Sequence, residues 1–164
     1  MKNPTFLLAA ALGMFALAGA LTPLVVIGLL GLILFPGGLL LVALALRAGR
    51  DCGDASDAGL GSLGAVWGGA LFVAVSAFRG GSLAFSVAIH RVHAGAIAPP
   101  ASVSAWVAGL LMALVGAAML SAGLRHRPGF SSQPWLGWFA AAFGVFPAST
   151  LLFLLLSPRL PITA

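Results

Sequence analysis

Long apolar stretches, separated by short polar ones, dominate the pattern of this chain. The first stretch, residues 5–46, carries no charged side chain. A helix that spans a membrane needs about 20 apolar residues, so this stretch is long enough for two such helices. Thr22-Pro23 divides it into pieces of suitable length, which predicts helices over 5–22 and 24–46. The Pro-Gly-Gly sequence at 36–38 then lies inside the second helix and is expected to kink it.

Three more helices are predicted after the polar loop of residues 47–59. The third is clearly apolar up to Phe78 and stays helical in pattern as far as His93. The fourth covers 102–124, and basic residues and a Pro-Gly pair follow it directly. The fifth covers 135–156. These segments predict an all-α fold, a polytopic membrane helical bundle with about five transmembrane helices.

The bundle is expected to form a single integral membrane domain over 1–164, with one alternative at its N-terminus. Lys2, the apolar residues 6–17 and the sequence Ala18-Gly19-Ala20 are also typical of a secretory signal with its cleavage site. Cleavage would leave four transmembrane helices. We favour the retained helix, because cleavage after Ala20 would place the next span only a few residues from the peptidase. The orientation of the remaining helices is the same in both cases.

Composition and charge support the bilayer as the solvent of this chain. Apolar residues make up 61% of it, charged residues only 7%, and the mean hydropathy is +1.13, whereas soluble domains carry about 25% charged residues. The single cysteine, Cys52, excludes an intrachain disulfide. The net charge of +5 comes from residues that flank the apolar segments. Basic residues in such positions fix the orientation of membrane proteins, so we expect no nucleic-acid partner.

The distribution of Lys and Arg predicts which ends of the helices face the cytoplasm. Five basic residues fall on one side of the predicted bundle: Lys2, Arg47, Arg50, Arg125 and Arg127. Arg91 and Arg159 fall on the other side. Because cytoplasmic loops are enriched in positive charge, we expect a cytoplasmic N-terminus in a bacterial cytoplasmic (inner) membrane.

A polar stripe runs along the third helix and is compatible with two structures. Its members are spaced three or four residues apart: Ser76, Arg79, Ser82, Ser86, His90 and His93. In the favoured interpretation Gly80-Gly81 breaks the helix, and the segment from Ser82 to His93 forms an interfacial amphipathic helix. In the other, the helix continues and carries Arg79 toward the membrane interior as part of a polar path through Ser76, Ser82 and Ser86.

Cofactor and catalytic chemistry have weak support in the sequence. His90 and His93 are close enough to share a haem or a metal, but the remaining histidine, His126, is predicted on the opposite side of the membrane. The three aspartates share one loop with nearby arginines, and we interpret this loop as solvated, without a metal. No catalytic triad, phosphate-binding loop or carboxylate pair is present, so we expect no catalytic residues and no cofactor.

The fourth helix carries a row of small residues, spaced four apart over almost its whole length: Ala105, Gly109, Ala113, Ala117 and Ser121. Small side chains allow helix backbones to approach closely, which drives association in lipid. The row is therefore predicted to be a packing face, either within this chain or against another membrane-protein subunit.

The C-terminal part of the chain resembles the small membrane subunit of tripartite tricarboxylate transporters. The resemblance rests on Arg125-His126-Arg127, on the apolar helix through Leu151-Leu152-Phe153 and on Leu160-Pro161. The N-terminal half of the chain shows no such resemblance, and we do not assign the chain to that family.

Three hypotheses of function follow from these patterns. The leading one is a non-enzymatic accessory or structural subunit of a membrane transport complex or another membrane complex, with the lipid bilayer and other membrane subunits as its partners. The first alternative is a small redox protein that binds haem or a metal through His90 and His93. The second is a self-contained small transporter that uses the polar path.

Overall fold

The protein is an all-helical bundle over the residues that the computed structural model describes, which are 4–23, 28–50, 60–92, 103–125, 127, 130 and 146–156. This confirms the predicted all-α class. Four of the five helices are also long and apolar enough to cross a membrane. The helices are α1 (Pro4–Leu21), α2 (Gly28–Arg50), α3 (Leu60–Val92), α4 (Val103–Leu124) and α5 (Phe146–Leu156).

The helix bounds agree closely with those expected from the apolar stretches. Both α1 and α4 lie within one residue of prediction at each end. Helix α2 passes through Pro36 without a break and ends at Arg50, later than expected. Only the 11 residues of α5 are described, and 135–145 lie outside the described residues, so a fifth full-length span remains a prediction.

Helix α3 differs from the favoured prediction, because it runs unbroken for 33 residues through Gly80 and Gly81. The expected break at this pair is wrong: α3 continues to Val92, and residues 82–92 do not form a separate interfacial helix. Each glycine in a helix interior lowers its stability by about 1 kcal/mol relative to alanine. Here the missing side chains let neighbours approach: Gly81 faces the backbone of Gly19 in α1, and Gly80 faces Ser149 in α5.

Helix α3 is the centre of the bundle. It packs against α4, α1 and α5, whereas α2 packs mainly against α1. The largest core cluster takes residues from the first four helices, including Phe15, Val42, Val73 and Leu120. Phe35 of α2 joins two other helices by ring contacts, at 6.0 Å from Phe15 and 5.6 Å from Phe78 between centroids.

Helix α1 ends in a local hydrogen-bonded turn before α2. The backbone N–H and the hydroxyl of Thr22 both donate to the carbonyl of Ala18, at 3.0 and 2.6 Å. This satisfies one of the carbonyls that a helix end leaves without a partner. Gly31 of α2 packs against this turn, so the turn holds the first two helices side by side.

The outer surface of the bundle is largely apolar. Its exposed large side chains on α2 and α4 are Leu29, Leu30, Leu32, Ile33, Leu40, Val103, Val107, Leu110, Leu111 and Val115. Exposed apolar patches of this extent are rare on soluble monomers. The surface is compatible with an integral membrane protein, whose lipid-facing side chains need no burial.

Candidate functional site

One face of α3 is left exposed by the other helices that the structure describes. We call it the outward stripe, and its members are Leu71, Phe72, Val75, Arg79 and Ser82. They are spaced at one, three and four residues, which places them on one side of a helix. All five are exposed, and the three apolar ones have 40–46% of their surface accessible. The stripe is therefore an apolar surface that carries one guanidinium.

Arg79 has no carboxylate partner among the described residues. The chain contains three acidic side chains, and all of them belong to the segment 51–59, which lies outside those residues. That segment connects the ends of α2 and α3, whereas Arg79 lies about 27 Å along α3 from Gly61, at 1.5 Å per residue. Arg79 thus lies far along α3 from the end at which this segment joins the helix.

The polar stripe predicted on the third helix is divided between different environments. Ser76 is fully buried, and its hydroxyl donates to the carbonyl of Val73 at 2.6 Å. Ser82 is exposed and its hydroxyl donates to the carbonyl of Phe78 at 2.9 Å, while Ser86 is half-buried. The structure therefore brings Arg79 and Ser82 together on the outside and leaves Ser76 in the interior.

The two histidines proposed as cofactor ligands lie largely outside the described part of the chain. His90 lies in α3, but nothing is described of its side chain, and His93 lies beyond the last described residue of that helix. The hypothesis of a haem or metal bound by this pair stays a prediction.

The row of small residues on α4 lies inside the chain. Gly109, Ala113, Ala117 and Ser121 are buried, and Ala105 is half-buried. The ring of Phe146 in α5 lies against Gly109, and Ala113 clusters with Leu83 of α3 and with Phe146. Because α3 and α5 cover this row, a second protein would have to bind elsewhere on the bundle.

A second polar site lies where α2 and α4 end and α3 begins. Arg127 is only 4% exposed, and its Nη2 donates to the hydroxyl of Ser62 at 3.4 Å. Its Nε has no hydrogen-bond partner within the described part of the chain. Burial lowers the pKa of the Arg127 guanidinium, and the nearby charge of Arg50 lowers it further.

A turn after α4 places Arg127 in this site. The amide of Arg127 donates to the carbonyl of Leu124 at 3.0 Å, and the amide of Phe130 donates to the carbonyl of Arg127 at 3.3 Å. Phe130 is buried in the main core cluster, which draws the turn against the bundle. The sequence predicts Arg127 only as a charge that flanks a span; the apolar Phe130 shortly after it is the available signal for burial.

Comparison with known proteins identifies no relative: no family model, no curated protein and no solved structure matches this chain. The class that the structure defines is an all-helical protein with four helices long and apolar enough to span a membrane.

Proposed function

We propose that this chain is a non-enzymatic integral membrane protein that works as a subunit of a membrane complex, of the transport or another class. Its partner binds the outward stripe of α3 through a membrane helix that carries an aspartate or glutamate opposite Arg79. The observation that supports this proposal is an exposed arginine within a long apolar helix, with no acidic side chain in any described helix.

The depth of Arg79 favours a partner. The candidate span Gly61–Ala88 has 28 residues, about 42 Å of helix against about 30 Å of hydrocarbon. If the span is centred in the bilayer, Arg79 lies about 7 Å from the midplane. An arginine at the centre of a membrane helix costs about 2.5–3.5 kcal/mol on insertion scales. A carboxylate at the same depth would remove much of this cost through a bidentate ion pair.

Reaching the membrane surface is an inferior solution for this side chain. Arginine can extend to the interface when it lies near a helix end. The Cα–Cβ bonds of a helix tilt toward its N-terminus, and the N-terminus of α3 is on the far side of the midplane from Arg79. The preferred direction of the side chain thus leads deeper into the hydrocarbon, which favours a partner at the level of the stripe.

The apolar members of the stripe give the partner a surface to pack on. Phe72 and Val75 lie two turns and one turn before Arg79, on the same side of α3. Packing against such side chains, together with interhelical polar contacts, drives helix association in lipid. The same surface does not suit a self-contained transporter, because Arg79 faces outward while Ser76 is buried.

The test compares complexes formed by the tagged full-length chain in its native membrane. A photo-cross-linking residue at Val75 should capture one membrane protein, and the site on that protein should lie in a membrane helix near an Asp or Glu. Arg79→Gln should lower the cross-linked fraction at least about tenfold, as expected for a charged hydrogen bond of 1.5–3 kcal/mol. Arg79→Lys should retain most of it.

A matched control is Arg125→Gln, which removes another exposed arginine from the end of α4 and should leave the cross-linked fraction unchanged. Exchanging the charges, with Arg79→Asp in this chain and arginine for the captured carboxylate, should restore the complex. A lone monomer in mild detergent, with only lipid cross-linked at Val75, would overturn the proposal.

The orientation that we propose places the basic ends of α2 and α4 in the cytoplasm of a bacterium, together with the N-terminus. Cys52 is the only cysteine and follows Arg50 closely, so it serves as a single reporter of that side. A membrane-impermeant maleimide should label Cys52 in inverted vesicles and leave it unlabelled in intact cells. Labelling in intact cells alone would reverse the orientation.

A further inference from the structure

The second arginine-containing site has the composition of an anion-binding site. Arg127 is 96% shielded from solvent and directs its guanidinium toward the start of α3, where Ser62 accepts from Nη2. The first amides of a helix have no partner within the helix, and its dipole places partial positive charge there. A second cation, Arg50, ends α2, and its charge helps to lower the pKa of the Arg127 guanidinium. All of these groups favour negative charge.

We propose that Arg127, Arg50 and the first turn of α3 bind a phosphate group, and that its source is the headgroup of an anionic phospholipid. The inference goes beyond the subunit role and does not depend on Arg79 having a partner. It depends only on the bundle lying in a bilayer.

The geometry of Arg127 explains why a phosphate would bind here. Guanidinium presents its N–H groups as a planar fork that matches two oxygens of a carboxylate or phosphate. In this site Nη2 is held by Ser62 at 3.4 Å, which orients the fork, and Nε is left without a partner among the described residues. An uncompensated buried charge is strongly destabilising, so an anion beside this guanidinium would relieve a real penalty.

The position of the site indicates a lipid as the source of the phosphate. Arg50 ends α2, Ser62 lies in the first turn of α3 and Arg127 follows α4, so three candidate spans reach the same level here. When apolar helices cross a bilayer, that level is occupied by headgroups. Basic pockets between helix ends on the cytoplasmic side are known to bind anionic headgroups.

The chain offers one competing source of negative charge. Asp51, Asp54 and Asp57 belong to the segment between α2 and α3, which lies outside the described residues. If one of them neutralised Arg127, no external anion would be required. The experiment must therefore separate a carboxylate of this chain from a phosphate.

Native mass spectrometry of the full-length chain, purified in a mild detergent, provides this separation. Phosphatidylglycerol, phosphatidylcholine and inorganic phosphate are each titrated as probes. We expect phosphatidylglycerol to bind at least about tenfold more tightly than phosphatidylcholine, and Arg127→Gln to remove that preference. Tight binding of inorganic phosphate, lost in Arg127→Gln, would support the phosphate site and assign it to a free ion.

Three variants keep the result interpretable. Arg125→Gln removes an exposed neighbouring charge and should keep the preference for phosphatidylglycerol. Arg127→Lys keeps the charge without the fork and should bind with intermediate affinity, which provides a readout even if Arg127→Gln folds poorly. Replacing all three aspartates by asparagine should leave lipid binding equal or tighter.

Two results would overturn the inference. One is that Arg127→Gln and Arg125→Gln weaken the binding of phosphatidylglycerol equally. The other is that neither phosphatidylglycerol nor inorganic phosphate binds, while the aspartate variant lowers the melting temperature as much as Arg127→Gln. The latter would assign Arg127 to an ion pair within the chain. Both results are independent of the cross-linking at Val75, so this inference and the proposed function can fail separately.

Discussion

The two sides of α3 use opposite means of packing. Toward α1 and α4 it presents small residues whose backbones nearly touch those of Gly19 and Gly116. On its exposed side it presents the outward stripe of large apolar side chains with Arg79, and one of these, Phe72, also borders Gly116 of α4. In lipid, apolar area alone does not bring helices together, because lipid tails are as apolar as leucine. The inward side is thus specified by shape, and no described helix prevents the outward stripe from contacting lipid or a partner.

The two sides of α3 differ most where it crosses α1, and a substitution there should lower the stability of the bundle the most. A Cβ atom at Gly81 would overlap the backbone carbonyl of Gly19, which cannot move without displacing α1. Gly81→Leu should lower the free energy of unfolding by more than about 3 kcal/mol, the upper end of ordinary overpacking. Titration with a denaturing detergent, followed by circular dichroism and size-exclusion chromatography, measures the change.

Gly64→Leu is the matched control for this substitution. Gly64 lies in the same helix, and no described atom comes within 4 Å of the point where its Cβ would be attached, so the added side chain should be tolerated. Equal losses of stability at Gly81 and Gly64 would mean that the close contact of α1 and α3 is not what holds the bundle.

At the contact between α3 and α4, one added methyl group should be enough to destabilise the bundle. A methyl group at Gly116 would lie 2.8 Å from the amide nitrogen of Val73 and 2.9 Å from the carbonyl oxygen of Gly69. Gly116→Ala is therefore expected to destabilise by about 1–3 kcal/mol, in the same detergent titration. Gly13→Ala, at an open position of α1, should not destabilise, and an equal loss there would refute the explanation.

The helices themselves could be predicted from sequence, because their signal is local. The length of each apolar stretch and the charges at its ends define α1 and α4 within a residue. The continuity of α3 through Gly80 and Gly81 could not be predicted in this way. Intrinsic propensity favours a break there, and the compensating contact with Gly19 belongs to a different helix.

The two arginine-containing sites could likewise be predicted from the sequence only in part. The spacing of Arg79 and Ser82 on one helical face is visible in the sequence, whereas the side of α3 that faces outward depends on its neighbours. The burial of Arg127 depends on Ser62, which is 65 positions away, and on Phe130, which packs into the core. A basic residue after a span normally remains at the interface, so local reasoning predicts exposure.

Two valines allow the two sides of α3 to be compared with the same substitution. Val73 is fully buried against the core, and Val75 is 46% exposed on the outward stripe. Val73→Ala should lower the free energy of unfolding by about 1–2 kcal/mol, since it leaves a cavity in a packed interior. Val75→Ala should change it by less than about 0.5 kcal/mol in the isolated chain.

Both valine variants should also be measured in the complex, where the buried side and the exposed side of α3 should respond differently. If a partner covers the stripe, Val75→Ala should weaken the complex while Val73→Ala leaves its affinity unchanged. A large loss of stability for Val75→Ala in the isolated chain would show that this face is covered from within.

The smallest expected effect has the opposite sign. Gly64 lies in α3, and open space surrounds the position that a Cβ atom would take. Gly64→Ala adds no clash and restricts the backbone of the unfolded chain, so it should stabilise the protein by at most about 1 kcal/mol. In the same detergent titration the midpoint should rise slightly, whereas Gly116→Ala lowers it. If Gly64→Ala also lowered the midpoint, another segment would have to cover the start of α3, and shape would restrict more of this helix than its inward side.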